Sequence, residues 1–162
     1  MFEDDDFAEI IGEPVVLPAF ATDMLKRAAA TQACMDRFAF KPVEPGVRDC
    51  GKMTAHDLHH LGRSAKLLNG WRGKSWASAV RYIKKKGFAD LVEMMDAVLP
   101  ASRIPPAAAL PGDIIAMPTE EANGFGCSLA VALDNGRILG LNPATGLIEP
   151  MIPHLYVCAW RV

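Results

Sequence analysis

The feature that most constrains this chain is a single change of hydrophobic period. Up to residue 99, apolar residues recur with helical spacing. Beyond a Pro/Ala-rich connector at 100–111 they alternate. A helical period puts its apolar residues on one stripe, whereas an alternating one puts them on one sheet face, so neither segment can adopt the other's structure. Helices first and strands afterwards give an α+β fold, with an antiparallel β-meander following the N-terminal helices. The 162 residues are the size of one domain, and 51% apolar residues suffice for a core without disulfides or a metal.

Residues 1–19 read as an extended N-terminal arm, because Glu13-Pro14-Val15-Val16-Leu17-Pro18 is bounded by prolines. Residues 20–162 form the single domain. A first helix is expected from Thr22 or Asp23, with Met24, Leu25, Ala28, Met35 and Phe38 on its stripe, ending before Pro42 and Pro45-Gly46. A second starts at Asp49-Cys50, with Asp49 as cap, and runs to about Leu61-Gly62. A third starts at Ser75 and stops at Gly87. A fourth runs from Phe88 to Leu99 before Pro100. Lys84-Lys85-Lys86 reads as a solvated helix end whose charge suits the dipole. Strands are expected over 114–117, 128–133, 137–141, 147–152 and 156–162, with Asp134-Asn135-Gly136 as a hairpin turn.

A net charge of -2 excludes a bulk basic field for nucleic acid, and no apolar run spans a bilayer. The beginning, Met1-Phe2-Glu3-Asp4-Asp5-Asp6, lacks the basic and apolar regions of a secretory signal. Cys34, Cys50, Cys127 and Cys158 form no CxxC pair and read as reduced thiols. No cofactor is implied.

Cys50 stands out by position. Unpaired amides at a helix start stabilise a thiolate, the setting of a cysteine nucleophile. A small buried apolar residue is the plainer reading of a lone cysteine there. Of the four histidines, His56, His59 and His60 share the Cys50 helix but not its face, and His56 lies roughly 9 Å further along the axis. His154 belongs to a loop before the last strand. His56 and His60, at i and i+4, have the spacing of two metal ligands. With no second ligand cluster, His56-Asp57-Leu58-His59-His60 reads as a solvated face, and no metal site is expected. Trp71, Trp76 and Trp160 read as core or interface aromatics.

Three motifs in order then carry a resemblance. Val47-Arg48-Asp49-Cys50-Gly51 opens a helix. Pro111-Gly112-Asp113-Ile114 opens a strand. Ser128-Leu129-Ala130-Val131-Ala132-Leu133-Asp134-Asn135-Gly136-Arg137 forms the next strand and turn. Together they resemble the NlpC-type cysteine peptidases over roughly 38–162. In that family a "DC" opens the catalytic helix, a "GD" begins a strand and a His starts the next. Still closer is the similarity to tailed-phage tail-tip and baseplate proteins of uncharacterised function, which share the "DC", the "PGD" and an end like Ala159-Trp160-Arg161-Val162.

The resemblance implies a papain-like NlpC-type domain with Cys50 at the nucleophile position. The base His falls at Ser128 and the orienting position near Gly140, so two of three triad members are replaced. His154 is the one candidate substitute base. The implied function is a structural component of a phage-type tail tip or baseplate on a degenerate peptidase fold, in a virion tail assembled in the host cytoplasm. Its partners would be other tail-tip or baseplate subunits, met through 1–19, 100–111 and 118–127. The alternative is an active cysteine peptidoglycan hydrolase cleaving amide bonds during DNA delivery.

Overall fold

The structure, a computed structural model, describes residues 18–119 and 123–162. Helix α1 spans Ala19–Phe38 and α2 spans Cys50–His60. A short α3 at Lys66–Asn69 precedes α4 at Trp76–Lys85 and α5 at Leu91–Val98. The strands are β1 (Lys41–Pro42), β2 (Arg103–Ile104), β3 (Ile114–Met117), β4 (Ser128–Ala132), β5 (Ile138–Asn142), β6 (Leu147–Met151) and β7 (Cys158–Trp160). They form one antiparallel sheet in the order β1-β6-β5-β4-β3-β7-β2. Helices before an antiparallel sheet agree with the α+β expectation. Among the described residues no helix is long and apolar enough to cross a membrane.

The helix starts follow from side-chain caps. Asp49 accepts from the Lys52 amide at 2.8 Å, Ser75 from Ser78 at 3.2 Å and Asp90 from Glu93 at 2.9 Å. The Asp90 cap moves the start of α5 to Leu91 rather than Phe88. Helix α1 begins earlier than Thr22 or Asp23, at Ala19, with Pro18 extended before it and no side-chain cap. The expected arm thus gives way to helix at Ala19, and its residues 1–17 lie outside the described ones. Between β4 and β5, Asn135 (φ 53°) and Gly136 (φ 72°) take the left-handed conformations of a two-residue hairpin turn.

The β4 period of two divides the sheet into two faces. Leu129 and Val131 pack with Ile114, Leu139 and Trp160 against Phe38, Met53, Leu58, Met94 and Met95 of the helices. Ala130 and Ala132 join Ile115, Met117, Ile138 and Ala159 on the other face. The connection from β6 to β7 passes β5, β4 and β3. Tyr156 shares a cavity with Ile115 and Ala132, which puts that crossing on the face away from the helices.

A buried ionic knot joins the two halves of the chain. The Arg27 guanidinium donates to Asp113 at 2.9 Å, Pro111 O at 3.1 Å, Val162 O at 2.6 Å and Asp23 at 2.7 Å. Asp113, with no exposed surface, also accepts from Arg161 Nε at 2.8 Å and from the amides of Leu110 at 2.8 Å and Val162 at 3.0 Å. Trp160 donates its ring N–H to Asp96 at 2.8 Å. Asp113, Trp160 and Arg161 therefore hold the fold: a buried carboxylate is tolerated only when cations and amides satisfy it.

The expectation of a solvated face over residues 56–60 fails in part. His59 and His60 are exposed, but Asp57 and Leu58 are fully buried. Leu58 joins the core, and Asp57 is turned toward Arg27 and Asp113.

Candidate functional site

Cys50 is the first residue of α2, and Asp49 before it builds the turn that presents it. Besides capping Lys52, the Asp49 carboxylate accepts from the Gly46 amide at 2.6 Å. Gly46 has φ 79°, and a Cβ there would meet Gly73 O at 2.2 Å. Only glycine fits that close approach, which seats the 70–75 turn beside the helix start.

Two concavities meet at Cys50. The smaller, of about 50 Å³, is apolar and lies among Leu68, Trp71, Tyr82, Met94 and Phe125. The larger is a groove of about 460 Å³ bordered by Cys50, Trp76, Phe125, Cys127, Ser128 and Leu141. Trp76, 42% exposed, packs edge-on against Phe125 with ring centroids 6.1 Å apart on the groove wall. The loop carrying Phe125 is tied to α5 by a 2.9 Å bond from the Leu91 amide to Phe125 O.

The structure thus brings Cys50 and Ser128 to one groove, at a helix start and a strand start. It does not bring His154 there: this exposed residue borders neither concavity that Cys50 borders. Nor does an imidazole of α2 reach Cys50. His56 turns the other way, its Nδ1 3.4 Å from Cys34 Sγ and its ring 5.5 Å from Phe38 and 4.5 Å from His60. Gly140 packs in the sheet, where a Cβ would lie 3.0 Å from Met117 Cε and 3.2 Å from Ala130 Cβ. An orienting side chain has no room there without movement of those neighbours.

The electrostatics oppose nucleophilic activation. Burial is the main cause that pushes the Cys50 thiol up to about 11. The Leu129 amide pulls it down, the Asp49 carboxylate pushes it up, and the amides of Gly51 and Cys50 pull it down. At neutral pH roughly one thiol in ten thousand is then ionised. The helix-start amides are present, but loss of water outweighs them.

Cys127 is a site residue that the sequence marked only as a reduced thiol. It shares the helix-facing phase of Leu129, is 2% exposed, and lines the groove with Cys50. Burial first, and then Cys50 and Cys158, raise its thiol far above the ordinary value. The signal was the offset of two residues from Leu129, which is useful only once α2 is known to lie on β4. All four cysteines are free thiols.

These elements define a class: an α+β domain whose helix start presents a thiol to the first residues of a central antiparallel strand. Within it, residues 24–162 match the family described as a domain of unknown function, DUF6950, and the chain belongs to that family. No curated protein and no solved structure gives a significant match to the chain.

Proposed function

We propose that this chain is a structural component of a phage-type tail tip or baseplate, assembled in the host cytoplasm with neighbouring tail subunits. Its scaffold would be a papain-like NlpC-type domain that keeps the nucleophile position and has lost peptidase chemistry. The phage assignment rests on the ordered motifs from Asp49-Cys50 through Pro111-Gly112-Asp113 to Trp160-Arg161-Val162. One observation carries the loss of activity. Among the described residues no histidine borders either concavity at Cys50, and the groove residue at the base position is Ser128, a side chain that takes no proton at neutral pH; burial also pushes the half-buried thiol up.

A second reading, an active peptidoglycan amide hydrolase, has one observation in its favour. The Leu129 amide and the first amides of α2 act on the Cys50 sulfur, as donors for an oxyanion would.

The deciding experiment is the alkylation rate of Cys50 against pH, with the other three cysteines replaced by serine. It is paired with a peptidoglycan-release assay of the wild type and Cys50→Ala. The structural reading expects labelling that rises only above about pH 10 and no release by either protein. Labelling that saturates below pH 8, with release abolished in Cys50→Ala, would establish the hydrolase instead. Mass spectrometry of purified tail particles tests the assembly: the chain is expected at fixed stoichiometry, and its absence from the particles removes the assignment.

A further inference from the structure

Two imidazoles converge on α2. His56 and His60 stand four residues apart, a spacing that sets their Cβ atoms about 5–6 Å from one another. Their ring centroids are only 4.5 Å apart, so the rings lean together. The tilt between them is 52°, neither the parallel setting of stacked rings nor the perpendicular one of an edge contact. Spacing alone does not set this pair apart from a solvated face; the ring positions do. The pair is separate from the groove, because among the described residues no histidine borders a concavity that Cys50 borders.

The separation has a chemical meaning. A metal ion sits about 2.1 Å from an imidazole nitrogen, and so about 3.2 Å from the ring centre. Two rings at a right angle about one ion have centres about 4.5 Å apart, and at the tetrahedral angle about 5.2 Å. The observed 4.5 Å is the spacing of two neighbouring ligands in a square-planar or octahedral shell.

His56 is also held from behind. Its Nδ1 lies 3.4 Å from the buried Cys34 Sγ, and its ring stands edge-on to Phe38 at 5.5 Å. The Cys34 S–H has a second acceptor in Met53 O at 4.0 Å. With the S–H turned to Met53 O, Nδ1 carries the ring proton, donates it to the sulfur and leaves the Nε2 lone pair for an ion. Burial first, and then His60, Arg37 and His59, hold His56 below its ordinary value, so the ring is neutral at pH 7, as a ligand must be. Among the described residues no cluster of three or more His, Cys, Asp or Glu side chains could hold a metal ion, so the two rings would fill two positions and water the others.

We propose that His56 and His60 form an open two-imidazole site for a divalent first-row cation that favours right-angled coordination, Cu(II) or Ni(II), with water completing the shell.

The test is equilibrium dialysis of Ni(II), which does not oxidise thiols, against the untagged full chain at pH 7. One ion per chain is expected. His60→Ala, at an exposed position, should weaken binding at least about tenfold. His59→Ala, which removes the exposed neighbouring ring, and Cys50→Ala, which removes the groove thiol, should leave it unchanged within about twofold. Mg(II), which prefers oxygen ligands, should not compete even in about tenfold excess. A smaller loss in His60→Ala, an equal loss in His59→Ala or Cys50→Ala, competition by Mg(II), or no binding at about 1 mM Ni(II) overturns the proposal.

Discussion

Asp57 offers the sharpest test of the physics of this fold. Its carboxyl has no exposed surface, and neither oxygen has a hydrogen-bond partner. The neighbouring Arg27 already directs four of its five N–H groups to Asp23, Pro111, Asp113 and Val162. Burial therefore dominates and pushes Asp57 from 3.8 up to about 8, with Arg27 pulling down and Asp113 pushing up. Asp57 is thus a neutral acid in the folded protein at pH 7. The unfolded chain loses that proton near pH 4, so folding takes up a proton between pH 4 and 8. Stability is then fully present below about pH 4 and is lost as pH rises toward 8, by about 1.4 kcal/mol per unit. By pH 7 the loss amounts to roughly 4 kcal/mol, a large part of the stability of a small domain.

Asp57→Asn has the same shape and does not titrate. Its buried amide costs the same at every pH, so the difference between the two proteins isolates the proton. The assay is urea unfolding of both at half-unit steps from pH 4.5 to 8.5. Asp57→Asn is expected to gain on the wild type by about 1.4 kcal/mol per unit and to level off above pH 8. Parallel curves would refute the reasoning, because they would mean that Asp57 is ionised in the folded state.

Three further outcomes are expected. Asp113→Ala leaves Arg27 buried without its main partner and should cost about 3–5 kcal/mol in urea unfolding or abolish folding, whereas Asp23→Ala, at the half-exposed end of the same guanidinium, should cost under about 1 kcal/mol; equal costs would contradict the knot. Asp49→Asn keeps one oxygen to cap α2 and removes the charge that raises the Cys50 thiol, so alkylation of Cys50 at pH 9 should quicken about two- to fivefold, at a cost of about 1–3 kcal/mol in stability because the second oxygen that accepts from the Gly46 amide is lost; a slower rate would show that the charge does not act on the sulfur. Ser128→His places an imidazole on the border of the groove that Cys50 also borders and should raise Cys50 alkylation at pH 7 by about tenfold or more; an unchanged rate would count against the NlpC-type register.

What could be read from the residues divides along physical lines. Helices α2 and α4 were legible because Asp49 and Ser75 cap them and Gly62 and Gly87 follow them. The start of α1 was not, because Ala19, Phe20 and Ala21 extend the helix past the polar residues that looked like caps. The two-residue strands β1 and β2 carry no period of their own. They exist through their pairing, Lys41 with Ile148 and Arg103 with Trp160. Position alone marked Cys50, since a helix start is a local property. Cys127 and the burial of Asp57 depend on how α2 lies against α1 and β4, and spacing within one helix does not contain that.

The placement of β7 between β3 and β2 has a consequence for the order of events during synthesis. Strand β3 precedes β7 by about forty residues, one of its edges is filled by residues 158–160, and among the described residues β2 pairs with no strand but β7. Arg27, near the beginning, likewise waits for Val162 and Arg161 to complete its surroundings. A growing chain that has not yet reached Val162 thus carries an open strand edge and a half-built ionic centre. Such a partial chain is open to wrong pairing with its neighbours. Closing that strand edge and completing the surroundings of Arg27 both depend on residues 158–162.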